Sequence, residues 1–435
     1  MMRMVAMIAA FALLSSAAAV AETLAITNAR IIDGTGSPPQ PDRTILIEDG
    51  FIRGIFSEGE RSLPGGATVV DVGGRILLPG LIDGHVHLNR SRLSLRDAQP
   101  EDREAALAAQ LRSGVTSVRE LAGDARLSGE LAQRQARGEI QAPRIYYSAV
   151  LYGPAFLEDP RVQSPQQGMA PGTAPWSRAV NADSDIAEII AAARTAGATG
   201  IKLYASLDAP LLNALTAEAH RQGMKAWAHS VVFPAGPGEV VSAGVDSIIH
   251  SRGLIAEGRA DVPDTFEEGI AWIRQLDFKG TDPQAPHFAR LFSEMKGRGV
   301  LFEPALHADG NPAKGRTGDW RDEMRVWSCE ITEAAHRAGV TISAGTDTPA
   351  AMGALQREME RLAECGLSPL EAIRAATLNN AKALGIESTY GTVESGKAAD
   401  LLIVDGDPAT DISSLSNAHM VVQGGKIIVG PGPPE

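Results

Sequence analysis

Apolar and polar positions along this chain follow two rhythms. Residues 24–32 form an apolar segment, and Ile45-Leu46-Ile47 and Phe51-Ile52-Arg53-Gly54-Ile55 flank the turn Glu48-Asp49-Gly50. Short apolar runs around an Asp-Gly turn are a hairpin signature. Residues 68–72 add another strand-like run, and 399–404, 420–422 and 426–429 repeat the pattern at the far end. Neither end is long enough to enclose a core, so the pattern predicts one small β-sandwich assembled from both termini.

In the middle, helical stretches end in Gly and pass at once into an apolar strand. The joins are Gly114-Val115, Gly197-Ala198, Gly223-Met224, Gly244-Val245, Gly299-Val300 and Gly339-Val340. Gly tolerates the left-handed cap that closes a helix, which gives each join a mechanism. With strands at 81–88 and 144–149, the pattern predicts eight parallel strands closed into a TIM-like (β/α)8 barrel, an α/β fold. The expected division is a leader over 1–21, half of the sandwich over 22–76, the barrel over 77–390 and the other half over 391–435. Met352, Leu355, Met359 and Leu362 recur at helical spacing and predict a core-facing stripe. Ser368-Pro369-Leu370-Glu371 reads as a capping box opening a helix that Gly385 ends. Two stretches break the rhythm. Residues 152–179 carry five prolines after the third strand, as a lid or binding loop would. Residues 258–286 read as an insertion without a clear pattern.

Composition narrows the function. The 435 residues carry a formal net charge of −13 and no basic run, which argues against nucleic acid as a partner. Arg3, the apolar run 4–14 and Ala19-Val20-Ala21 predict a secretory signal cleaved before Glu22. The apolar run is short for a bilayer span, so the expectation is a periplasmic or secreted protein with no stable membrane anchor. The two cysteines, Cys329 and Cys365, lie in helical patterns. An oxidising compartment permits a bridge, but the sequence does not bring them together, and both read as structural.

Candidate chemistry begins at His85 and His87, which alternate with Val86 and so project from one face of a strand. Two neutral imidazoles on one face can share a metal ion. Barrel enzymes place their sites at the C-terminal ends of strands. There the chain supplies Lys202 and Tyr204 on strand four, His229 after strand five, His250 after strand six and Asp347 after strand eight. A lysine inside an apolar strand must be paired, neutral or modified, because an isolated buried ammonium is costly. His220 and His336 precede helix-ending Gly residues and read as surface residues, while His287 and His419 have no local argument. His307, after strand seven, is a candidate substrate contact. Arg144, Arg161 and Arg252 are candidates for a substrate carboxylate, Arg252 foremost.

The run Pro79-Gly80-Leu81-Ile82-Asp83-Gly84-His85-Val86-His87 and the tail Gly396-Lys397-Ala398-Ala399-Asp400-Leu401-Leu402-Ile403-Val404-Asp405 resemble the amidohydrolase superfamily. The branch is that of imidazolonepropionase-like proteins and metal-dependent Xaa-Pro dipeptidases, and the resemblance covers nearly all of the chain after the leader. It implies two divalent ions, zinc first among them. His85, His87 and Asp347 would hold one and His229 and His250 the other, bridged by Lys202 carboxylated by CO2. It further implies a metal-bridging hydroxide, with Asp347 moving the proton and Tyr204 donating to the oxyanion. The implied reaction is hydrolysis of an amide bond in a small-molecule dipeptide or N-acyl amino acid. A lactonase or cyclic amidase on the same site is the alternative within hydrolases. A periplasmic binding protein on an inactivated barrel, or an isomerase or decarboxylase, are alternatives outside them. A homo-oligomer is compatible with the sequence. The resemblance stops at Tyr152-Gly153-Pro154-Ala155-Phe156, where several dipeptidase-like members carry a Gly-Gly-His loop.

Overall fold

The computed structural model describes residues 23–88, 100–163, 168–310 and 319–430. The leader expected over 1–21 lies outside the described residues.

A parallel sheet forms the centre. Its strands, in spatial order, are Leu81–Val86, Val115–Glu120, Arg144–Tyr152, Gly200–Ala205, Lys225–His229, Ser247–Ile249 and Leu301–Glu303. A helix connects each strand to the next, among them Pro100–Arg112, Ala209–Arg221 and Pro286–Arg298. Asp124, Asp185, Asp208 and Asp319 start four of the helices, each side chain accepting a backbone N–H of the first turn. That satisfies a donor which the helix itself leaves unpaired. All six Gly joins read from the sequence have positive φ, from 73° to 94°.

The eighth strand departs from expectation. Residues 340–348 are too irregular to count as a regular strand, yet they close the ring. On one side, Phe302 donates to the Thr341 carbonyl at 2.9 Å and Ser343 to the Phe302 carbonyl at 2.8 Å. On the other, Gly84 donates to the Ala344 carbonyl at 3.0 Å, Asp347 to that of His85 at 2.9 Å and His87 to that of Thr348 at 3.0 Å. The segment bends because Asp347 has a φ of 49°, a left-handed conformation that interrupts a β ladder.

Strands from both termini form a second sheet. Eight of them pair continuously, and Ile76–Pro79 joins the N-terminal strand Thr23–Ile31 to the C-terminal strand Leu401–Val404. Where a sandwich was expected, the hydrogen bonding runs through one sheet. The period of two explains how one sheet serves two cores. Leu77, Leu401, Ile403, Met420 and Val422 pack into a core of the sheet's own. Their neighbours Ile76, Leu78, Leu402, Val404 and Val421 face the barrel.

Other expectations need adjustment. Leu355, Met359 and Leu362 are buried on the helix Ala354–Glu364, but Met352 precedes that helix and is 64% exposed, so the stripe is one residue shorter. Ser368 and Glu371 form the capping box, and Gly385 caps the helical run that ends at Leu384. Cys329 and Cys365 form a disulfide with a Cα–Cα distance of 5.0 Å. It ties the helix Trp320–Arg337 to the end of the helix Ala354–Glu364.

Candidate active site

The histidine-bearing strand reaches its position through glycine. A Cβ on Gly84 would lie 2.7 Å from the Ala344 carbonyl oxygen and 2.8 Å from both the Asn380 and Glu303 side-chain oxygens. Only a residue without Cβ lets the closing segment approach this closely. Asn380 then bridges the seam, donating to the Ile82 and Ala344 carbonyls at 2.6 Å each. Asp83 accepts from the backbone N–H of His85 and of Thr346 at 3.1 Å, and from the Thr346 hydroxyl at 2.9 Å.

Four side chains converge above this seam. His85 Nε2 and His87 Nε2 are 3.2 Å apart. Asp347 Oδ1 lies 2.6 Å from His87 Nε2 and 3.3 Å from His85 Nε2. His250 Nε2 is 3.7 Å from Asp347 Oδ2. His229 adjoins them, its ring centroid 5.2 Å from that of His250. Lys202 is fully buried, close enough to His250 and Glu303 to influence both.

Hydrogen bonds fix the imidazole tautomers. His85 Nδ1 is 2.8 Å from Glu303 Oε1, and His229 Nδ1 is 2.8 Å from the Tyr204 carbonyl oxygen. Both partners accept, so each Nδ1 carries the proton and each Nε2 presents a lone pair. Burial pushes His85 down to about 4, against the pull of Asp347 and Glu303, which keeps that ring neutral. Burial alone would raise the Asp347 carboxyl, but His85, His87 and His250 outweigh it and hold it well below the usual range. Ring nitrogens of His85 and His87 and a carboxylate oxygen of Asp347 within 4.8 Å of one another form a donor set that suits a divalent cation.

A supporting layer lies beneath the cluster. Glu303 also accepts from Arg119 Nη2 at 2.5 Å, while Arg119 Nε donates to the Gly84 carbonyl at 2.5 Å. The Arg119 guanidinium stacks 4.7 Å from the Trp227 ring. Burial would raise Glu303, but Arg119 and His85 hold it below its ordinary value. Glu120 lies 3.6 Å from His87 Nδ1 and accepts the Leu88 backbone N–H.

The cluster lines the floor of a cavity of about 1220 Å³. Phe156 and Arg161 enter it from the long loop after the third strand, whose residues 164–167 lie outside the described residues. Phe266 enters from the helix Phe266–Ile273, inside the stretch 258–286. Phe156, Tyr204 and Phe266 form a continuous aromatic wall with centroid separations of 5.1 to 6.1 Å, and His229 sits 4.4 Å from Tyr204. Arg161 lies 4.5 Å from the centroid of Phe266 and pairs with Asp159. Arg252 pairs with Asp309, and both line the cavity with His307.

Thus His85, His87, His250 and Asp347 come together, with His229, Lys202, Tyr204, His307 and Arg252 around them. Arg144 does not. It pairs with Asp400 and stacks on Tyr390, next to the terminal sheet, so its charge is already spent in holding the sheet to the barrel. Sequence reasoning missed Glu303, Arg119, Asp309 and Phe266. Glu303 ends strand seven, where only His307 in the following turn was read as a candidate. Phe266 lay in a stretch without a readable pattern.

A parallel barrel-type sheet carries a histidine–aspartate cluster that could hold a metal ion at its strand ends and is joined to a terminal sheet. The Amidohydrolase family model matches residues 76–428, and the chain belongs to that family. Ochratoxinase from Aspergillus niger is 26% identical over 454 residues, covering 92% of this chain and 86% of that protein. Its crystal structure superposes with a TM-score of 0.73 at 23% identity, covering 95% of this chain and 96% of that one. A Xaa-Pro dipeptidase with methionine bound in its active site superposes with a TM-score of 0.72 at 23% identity, covering 94% and 100%. The chain is therefore a hydrolase acting on carbon–nitrogen bonds.

Proposed function

We propose that this hydrolase cleaves the amide bond of an N-acyl amino acid or dipeptide at a centre holding two divalent ions. His85, His87 and Asp347 would hold one ion and His229 and His250 the other, with Lys202, carboxylated by CO2, between them and zinc the first choice of metal. The observation that carries the reading is the convergence of His85 Nε2, His87 Nε2 and an Asp347 oxygen within 3.3 Å. Bound metal supplies a Lewis acid and lowers the pKa of water. Asp347, ionised at neutral pH, takes the proton of the attacking water and passes it to the leaving nitrogen. Tyr204 donates to the carbonyl oxygen as negative charge develops there. The Phe156–Tyr204–Phe266 wall receives an apolar group of the substrate, and Arg252 its carboxylate.

Ochratoxinase and a Xaa-Pro dipeptidase among the similar proteins are in keeping with this reading. The Cys329–Cys365 bridge suits an oxidising compartment and supports a periplasmic or secreted protein. The test loads the full chain with zinc, counts bound metal and screens dipeptides, N-acyl amino acids and lactones. Lys202→Ala and Asp347→Asn are expected to abolish amide hydrolysis. Full hydrolysis by either variant, or by metal-free protein, overturns the reading.

A further inference from the structure

Arg252 owes its position to a chain of contacts that leads away from the metal cluster. Two residues beyond His250, it lines the same cavity and feels the charge of Asp347. Its Nη1 contacts Asp309 Oδ1. The Asp309 side chain is only 3% exposed, and its second oxygen, Oδ2, is buried with no hydrogen-bond partner among the described residues. Asp309 therefore does one visible thing, which is to aim and partly neutralise the Arg252 guanidinium.

Asp309 in turn belongs to a turn that does not hold itself. Ala305 enters it with φ 54° and ψ 48°, and Gly310 leaves it with φ 86°. A left-handed alanine is strained and persists only where its surroundings over-determine it. The surroundings here include Glu358, a buried side chain of the helix Ala354–Glu364. Its two oxygens accept the backbone N–H of Leu306 at 3.1 Å and of His307 at 2.6 Å. At the other end Arg325 Nε donates to the Asp309 carbonyl at 2.5 Å. Glu358 is held by this task, and it is absent from the cavity lining.

We propose that Asp309 and Glu358 are positioning residues that set specificity: through the turn 305–310 they hold Arg252 where it binds the carboxylate of an amide substrate. The device makes a carboxylate beside the scissile amide a requirement, so amides lacking one are poor substrates. This rests on the reading of the cavity as an amidase site with Arg252 at its carboxylate end.

The test compares N-acetyl-L-phenylalanine with N-(2-phenylethyl)acetamide, the same amide without the carboxylate, on the metal-loaded full chain. The readout is the ratio of kcat/KM for the two probes. Arg252→Met should lower that ratio by about tenfold or more. Glu358→Gln, which keeps one acceptor oxygen and loses the other, should lower it about three- to tenfold through KM, with metal content unchanged. Asp309→Asn should act in the same direction. In the Arg252→Met background Glu358→Gln should change the ratio no further, because the two act on one interaction. Equal losses on both probes, loss of metal, or additive effects in the double variant would show a merely structural role and overturn the proposal. Calorimetric binding of N-acetyl-L-phenylalanine reads the same network without turnover. Equal affinity of wild type and Arg252→Met overturns this proposal, whereas tight binding with no turnover by wild type overturns the hydrolytic reading alone.

Discussion

Burial treats the carboxylates of this molecule in opposite ways, according to what lies next to them. Glu303 has Arg119 and His85 as neighbours and stays ionised. Its replacement by Gln keeps the shape but weakens the anchor that orients His85, and losing such a partner typically costs about 10–100-fold in metal affinity. Chelator competition on Glu303→Gln is expected to show that loss, while retained affinity would deny Glu303 its anchoring role. Glu358 forms no salt bridge among the described residues, and burial, with Glu303 and Asp83 adding to it, lifts it from 4.5 to about 8. An acid raised in the folded state favours folding while protonated. That contribution is complete below its unfolded value near 4.5 and is lost as pH rises through about 8. The stability gap between wild type and Glu358→Gln should therefore shrink from pH 5 to pH 8. Urea unfolding at several pH values checks this, and a constant gap would refute it.

Among the elements, the disulfide and the Gly-rich seam are the two local devices with measurable consequences. Cys329 and Cys365 are 36 residues apart in sequence, and closing a loop of that length removes unfolded-chain entropy equivalent to about 3–4 kcal/mol. Cys329→Ser with Cys365→Ser should lower the thermal midpoint, and reductant should then have no further effect. A double variant as stable as wild type would show that helix packing alone holds this region. The seam shows what the sequence could and could not announce. His85, His87, His229, His250 and Asp347 were readable because each follows an apolar strand, where residue type alone suggests ligation. Glu303 ends a strand of only three residues and does its work through His85, so nothing in its own neighbourhood marks it. Asp309 and Glu358 meet Arg252 only through a turn whose left-handed alanine has no sequence signature. Phe266 is one of three aromatic residues in a stretch without a readable pattern, and only the folded barrel brings it beside Tyr204. The single terminal sheet was half readable: the strands were in the pattern, but the pairing of Ile76–Pro79 with Leu401–Val404 is a tertiary fact.

The whole molecule has a weak point where its ring closes, and the histidine–aspartate cluster lies across it. Residues 340–348 touch both neighbours through a few backbone hydrogen bonds rather than a regular ladder. Side chains make up the difference: Asn380 and Asp83 with Thr346 tie the closing segment to the first barrel strand. The proposed first ion would do the same, since His85 and His87 come from that strand and Asp347 from the closing segment. A ligand that binds only the folded ring stabilises it by RT ln(1 + [L]/Kd), or about 2.7 kcal/mol at a hundredfold excess over Kd. Zinc should therefore raise the thermal midpoint. Its removal should speed amide hydrogen exchange first at 81–88 and 340–348, with the terminal sheet hardly changed. A uniform rise in exchange would place the metal's effect on the whole fold, and no rise at the seam would mean the ions do not bridge it. If the cluster both closes the ring and carries the proposed chemistry, the close packing of glycines and buried carboxylates around it follows.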